Sequence, residues 1–272
     1  MKRLYRTLAF LVIPLCALRL YDTLFNIDPK SGYFKNGFNI FYILSFIIIF
    51  AAFVWLMIKG RKSTVTTTPP SADGFTGIVF CICALLTAAA SLLLMSDVFG
   101  RVELSHIFMS RKELFSLNII DTHFRIEFWV AAVGFIAAVW FAYAAYRFFK
   151  DGNVSKRPIF CGVIIVWFCL RALSDFSIAP VNPNDTIILT RLFADLILAL
   201  FFLKFLRFAS IGYPAEETKK LMPYAFLAFA FVVSFKAPLL LIVSLTNAFL
   251  IGVDLFASIA AFAMMGQLIK GD

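Results

Sequence analysis

Nine ionisable residues interrupt otherwise apolar text: the cations Arg19, Arg171, Arg191 and Lys236, and the anions Asp22, Asp97, Asp175, Asp195 and Asp254. Each falls in a run long enough to cross a bilayer, where an unpaired charge near a helix centre costs roughly 2.5 to 3.5 kcal/mol on insertion scales. Charges at that density must be paired or wet. Arg19 and Asp22 are three residues apart, while Arg171 and Asp175, and Arg191 and Asp195, are four apart, so each couple shares one helix face. Two readings follow. As interhelical salt bridges, the charges would hold register in a bundle where lipid supplies no hydrophobic drive between helices. As the lining of a polar vestibule, the same side chains would receive a small polar or zwitterionic ligand. The ligand-binding candidates are Arg19, Arg171, Asp175, Arg191, Asp195, Lys236 and Asp254, with Asp22 and Asp97 expected shallow enough to reach headgroups.

Other chemistries find less support. No Walker lysine loop, GxSxG elbow, paired glutamates or metal triad occurs, so no nucleophile or base is nominated, and an enzyme is the least supported class. His106 and His123 share a loop with Glu103, Glu113 and Asp121, but without a helical HxxxH or HExxH spacing no metal is expected. Cys81 and Cys83, two apart on a helix, point to opposite faces and cannot share a metal. With Cys16, Cys161 and Cys169 they read as small buried apolar residues, so no disulfide framework is implied. Lys236 in a seventh helix invites a retinal Schiff base, yet several other buried cations accompany it, unlike the single lysine and paired acids of a rhodopsin. No cofactor is expected.

The elements that must position these charges follow from composition. The 272 residues are 62% hydrophobic and 15% charged, with 34 phenylalanines. Soluble domains are about half apolar and a quarter charged, so this chain has too little polar surface to dissolve as a globule. An all-α transmembrane bundle is expected, with spans at about 7–26, 38–58, 75–99, 126–149, 159–179, 186–208, 222–243 and 247–269 in a single domain. The last two form a nearly continuous apolar stretch, and Ser244-Leu245-Thr246-Asn247 supplies the turn between them. A start as Met1-Lys2-Arg3 before an apolar run resembles a signal peptide, but Cys16-Ala17-Leu18-Arg19 lacks a small-residue cleavage pattern, so the first span is expected to stay.

Basic residues near span ends are retained on the cytoplasmic side. The amino terminus, the second, fourth and sixth loops and Lys270 hold 15 basic and 5 acidic residues, whereas the opposite loops hold 6 of each. Both termini are therefore expected in the cytoplasm of a cell with an inner, plasma membrane. The chain's net charge of +9 is a topology signal rather than a nucleic-acid footprint, since no soluble domain presents a clustered basic face. Converted at about 1.5 Å per residue, all nine buried charges lie within roughly 3 to 14 Å of the outer boundary.

Spans one, three and five end in related text, Arg19-Leu20-Tyr21-Asp22, Met95-Ser96-Asp97 and Arg171-Ala172-Leu173-Ser174-Asp175, which suggests four helical hairpins. Pro14 and Pro238 can kink the helices that carry Arg19 and Lys236. The longest connection, 100–125, carries a capping box at Ser110-Arg111-Lys112-Glu113 before Leu114, Phe115 and Leu117, so an interfacial helix is expected there. The segment 63–74, with Thr66-Thr67-Thr68-Pro69-Pro70, reads as a flexible link.

Leu18-Arg19-Leu20-Tyr21-Asp22 followed by Asp28-Pro29-Lys30-Ser31-Gly32-Tyr33-Phe34 resembles multi-pass membrane proteins of anaerobic Gram-positive bacteria to which no activity is assigned. The resemblance implies a bacterial inner membrane and nothing further. The leading expectation is a protein that binds a small polar ligand from the outer side, as a transporter or permease-like subunit. The alternative is a non-catalytic sensor or assembly partner whose charges serve packing. The bilayer is the expected partner in both. A fluorescent protein fused after Asp272 should fluoresce, and a cysteine placed in 102–118 should be labelled by an impermeant maleimide on intact cells. Labelling only after lysis would reverse the expected polarity.

Overall fold

The computed structural model describes residues 2–28, 34–35, 39–62, 71–101, 119–154, 159–178 and 186–269. The protein is all-α. Among the described residues there are eight α-helices: α1 Lys2–Tyr21, α2 Ile40–Lys62, α3 Gly74–Arg101, α4 Ile119–Lys150, α5 Ile159–Ile178, α6 Thr186–Ser210, α7 Ala215–Phe231 and α8 Leu245–Leu268. Seven of them, with the turns that extend α1 and α7, are long and apolar enough to cross a membrane. The eighth, α5, runs for 20 residues and carries Arg171 and Asp175. Large apolar side chains such as Phe10, Ile47, Phe50, Leu85, Val139 and Phe176 stand exposed on the outside of the bundle. Exposed apolar surface on this scale suits lipid as the surrounding solvent.

Helix α4 begins at Ile119, seven residues before the run expected from hydropathy, because Ile119 to Ile126 contains neither glycine nor proline to stop a helix. The capping box at Ser110 and the threonine-proline stretch at 63–70 lie outside the described residues. At its other end α4 closes on Gly152, whose φ of 68° lets its N–H reach the Arg147 carbonyl at 2.9 Å.

Two helices change their winding where they carry charge. After α1, Asp22–Asn26 forms a π turn closed by the Ile27 N–H on the Asp22 carbonyl at 3.1 Å. After α7, Val232–Lys236 is a second π turn, closed by the Ala237 N–H on the Val232 carbonyl, and Ala237–Leu241 continues as a 3-10 turn. Pro238 is the physical cause of the second break. It has no N–H to give the Ser234 carbonyl, and its ring would clash with that carbonyl in a regular helix. The wider turn before it absorbs the misfit. Pro14, by contrast, lies inside an uninterrupted α1.

Packing order is α3 on α4, α4 on α5, α5 on α6, α6 on α7, α7 on α8, and α8 back on α3, which closes a ring of six helices. Helix α2 packs on α7 and α1 packs on the π turn at Val232–Lys236, so the first two helices lean on the broken one. An aromatic core fills part of the ring: Phe80 stacks on Phe141 and Phe148, Phe168 stacks on Phe202, and Trp140 meets Phe80 and Phe202 edge to face. Edge-to-face and offset contacts add to the area that the rings bury.

Close approach of α3, α4 and α5 depends on Gly134. A Cβ at that position would lie 2.2 Å from the Ser91 Oγ and 3.0 Å from the Trp167 Nε1, the indole that donates to the Val130 carbonyl at 3.1 Å. Gly134→Ala should therefore lower stability by about 1–3 kcal/mol through overpacking. Ser91→Ala combined with Gly134→Ala should recover part of that loss in thermal unfolding of the detergent-purified protein; equal losses in the single and double variants would refute the contact.

Candidate functional site

The site is built from four helices. Arg171 of α5 grips Asp254 of α8 with both ends of its guanidinium, Nη1 to Oδ1 and Nη2 to Oδ2, each at 2.7 Å. Its Nη2 also reaches Asp195 Oδ1 of α6 at 3.0 Å. Lys236, in the π turn after α7, lies between the same two carboxylates, its Nζ 2.5 Å from Asp195 Oδ1 and 2.6 Å from Asp254 Oδ2. Going round, the order is Arg171, Asp254, Lys236, Asp195 and back to Arg171. The four charges form a closed square of alternating sign, with every side an ion pair.

All four side chains are at most 4% exposed, so water contributes little to their solvation. The square supplies it instead. Each charge has two opposite neighbours along the sides and one like charge across the diagonal, and the sum is zero. Bidentate arginine to carboxylate is also the strongest geometry available to such a pair. Trp167 and Phe168 lie under the Arg171 guanidinium, with ring centroids 4.7 and 5.3 Å from its Cζ, adding a cation–π contact.

A fifth and sixth charge attach at the edge. Arg191 Nη2 of α6 meets Asp175 Oδ1 of α5 at 2.6 Å, with Arg191 22% exposed and Asp175 3% exposed. The Arg191 carbonyl also accepts from Lys236 Nζ at 3.5 Å. The spacing of four along each helix suggests couples within α5 and within α6, but these partners are exchanged between the helices. Antiparallel packing explains the exchange: the sums 171 plus 195 and 175 plus 191 are equal, so each arginine stands opposite the aspartate of the neighbouring helix.

A separate group surrounds Arg19. Its Nη1 donates to Asp22 Oδ2 at 2.8 Å, and the other carboxylate oxygen, Oδ1, accepts from Asn26 Nδ2 at 2.9 Å and Asn39 Nδ2 at 2.6 Å. The Arg19 Cζ lies over the rings of Tyr42 and Phe235, 4.4 and 5.1 Å from their centroids. Asp22, expected near the headgroups, is instead fully buried with Arg19, because two amides and a guanidinium together replace its water. Asp97 is exposed and accepts from Thr246 Oγ1 at 3.4 Å at the start of α8.

The seven sequence candidates thus fall into two groups: Arg171, Asp175, Arg191, Asp195, Lys236 and Asp254 in one network, and Arg19 in the other. Phe235 and Lys236, consecutive in the π turn, belong to different groups and join them. Sequence reading missed Asn39, Tyr42 and Phe235. A signal existed for Asn39, an asparagine directly before an apolar run, which caps α2 by accepting the Phe41 N–H at 2.8 Å. Tyr42 and Phe235 carried no signal among so many aromatics. Among the described residues no group of three or more His, Cys, Asp or Glu side chains is arranged to hold a metal ion. Comparison with known families, with curated proteins and with solved structures returned no match.

If the square is one coupled unit, Asp254→Leu should cost about 3–5 kcal/mol, since it leaves Arg171 and Lys236 competing for Asp195 in a dry site. Lys236→Met combined with Asp254→Leu removes one charge of each sign and should cost less than Asp254→Leu alone. Chemical unfolding in detergent measures both; a double variant as unstable as the sum of its singles would show that the four charges act independently.

Proposed function

We propose that this helical membrane protein binds a small polar or zwitterionic solute from the outer side of a bacterial inner membrane and moves it as a transporter or permease-like subunit, with eight spans arranged as four hairpins and both termini cytoplasmic. The observation that carries the reading is the meeting of the ionic square with the break in α7, where Lys236 ends a π turn ahead of Pro238. Broken helices and π turns recur where membrane proteins bind solutes, because unwound backbone and buried charge are tolerated there only around a site. A closed square of zero net charge suits a device with two states. A zwitterion can take over one cationic and one anionic partner without leaving net charge in the membrane, so the bundle can exchange internal pairs for ligand pairs. Arg191, the most exposed member, is the natural first contact.

The completeness of the pairing favours a second reading, a sensor or assembly partner whose bridges only fix helix register. Uptake of labelled amino acids and betaines into proteoliposomes separates the two. Under transport, Arg191→Gln should abolish uptake by a protein that still elutes as a single species with a near-native melting temperature, and Asp195→Asn and Lys236→Met should lose uptake together with some stability. Uptake unchanged in these well-folded variants would dismiss the ligand reading, and loss of stability alone would leave the packing role.

A further inference from the structure

We propose that the free edge of Arg19 is the recognition site for the carboxylate of that zwitterion, distinct from the ionic square. This rests on the reading that the protein handles a zwitterionic solute, and it assigns the end of the solute that is recognised. A guanidinium has five N–H groups in a planar fork. One nitrogen of Arg19, Nη1, is engaged by Asp22, whereas Nε and Nη2 are buried without a hydrogen-bond partner among the described residues. These two nitrogens bracket one edge of the plane, and their parallel N–H bonds match the two oxygens of a carboxylate side-on. A fully buried cation that leaves such a fork unfilled is costly, because donors removed from water lose hydrogen bonds that the protein does not replace.

The surroundings fit the same guest. Tyr42 and Phe235 lie under the guanidinium and meet each other edge to face at 5.2 Å, so they fix the plane while satisfying none of its edge donors. Ser45, three residues after Tyr42 on α2, and Ser234, directly before Phe235, are both buried, and neither hydroxyl has a partner among the described residues. Asp22 already neutralises Arg19, so a simple anion would add uncompensated charge to a dry site, whereas a guest that carries its own ammonium keeps the total at zero. The guest class is therefore an amino acid or betaine rather than a plain carboxylate. Occupancy would be felt at the square, since Phe235 under Arg19 and Lys236 between the aspartates are neighbours in one π turn.

The test uses the full chain in nanodiscs with three probes, glycine, glycine betaine and acetate, titrated by calorimetry. Wild type should bind at least one of the two zwitterions saturably and more tightly than acetate. Arg19→Lys keeps the charge and loses the side-on fork, and it should weaken that binding by about tenfold or more. Should Arg19→Lys fail to fold, solid-state NMR of the wild-type protein with 15N-labelled arginine, 13C-labelled tyrosine rings and 13C-carboxyl glycine reads the same contact, and coupling of the carboxyl to the guanidinium that also couples to a tyrosine ring, Tyr42, is expected. Arg19→Lys binding as tightly as wild type, or no such coupling, overturns the assignment. Zwitterion binding that survives Arg19→Lys but is lost in Arg191→Gln overturns this site and leaves the solute reading standing. Saturable binding of none of the three probes overturns the assignment as well, and uptake of a different solute by the same preparation would show that the broader reading outlives it.

Discussion

The constraint on which the rest depends is that four buried charges from four helices must neutralise one another in a place that water hardly reaches. Arg171, Asp254, Lys236 and Asp195 meet it by alternating in sign around a closed circuit. No helix can leave without stranding two charges. Helices α5 and α8 are not successive in the ring of packed helices, yet the bidentate contact of Arg171 with Asp254 joins them across its interior. In a bundle whose outer surface is as apolar as lipid, an ionic cross-tie supplies the specificity that hydrophobic burial provides in water.

Placement of the lysine in that circuit depends on a local defect. Pro238 forbids a regular helix, the chain answers with a π turn over Val232–Lys236, and the last residue of that turn is the one that bridges the two aspartates. The widened turn also sets successive side chains to different tasks, with Phe235 under Arg19 and Lys236 in the square. Helices α1 and α2, which lean on α7 from outside the ring, are thereby linked to its centre through consecutive residues of the π turn. A second π turn, at Asp22–Asn26, places an aspartate and an asparagine on one another at 2.9 Å and completes the cradle around Arg19. Both π turns coincide with buried charge, Asp22 in one and Lys236 in the other.

Two kinds of packing share the bundle. Where phenylalanine and tryptophan rings interlock around Phe80, Trp140 and Phe202, shape alone holds the helices, and Gly134 brings backbones close enough for Trp167 to reach the Val130 carbonyl. Around Arg171 the two meet, because Trp167 and Phe168 are at once part of the aromatic core and the floor beneath the guanidinium.

The membrane class and the helical content followed from composition and run length, since a chain with so few polar residues has one solvent in which it can fold. The identity of the charged positions was equally legible, because Arg171 or Asp254 in an apolar run is conspicuous whatever surrounds it. Partnership was not. Spacing of three or four residues says that two side chains share a face, and for Arg19 and Asp22 that was enough, while for Arg171 and Asp175 the same spacing was compatible with pairing along the helix or across it. Only the antiparallel register of α5 against α6 decided in favour of exchange. The burial of Asp22 likewise required Asn39, 17 residues away, to come back against it, and the rings against the Arg19 guanidinium, Tyr42 and Phe235, come from two other elements of the chain. Local chemistry is written in one dimension, whereas the satisfaction of a charge depends on which other helices arrive beside it.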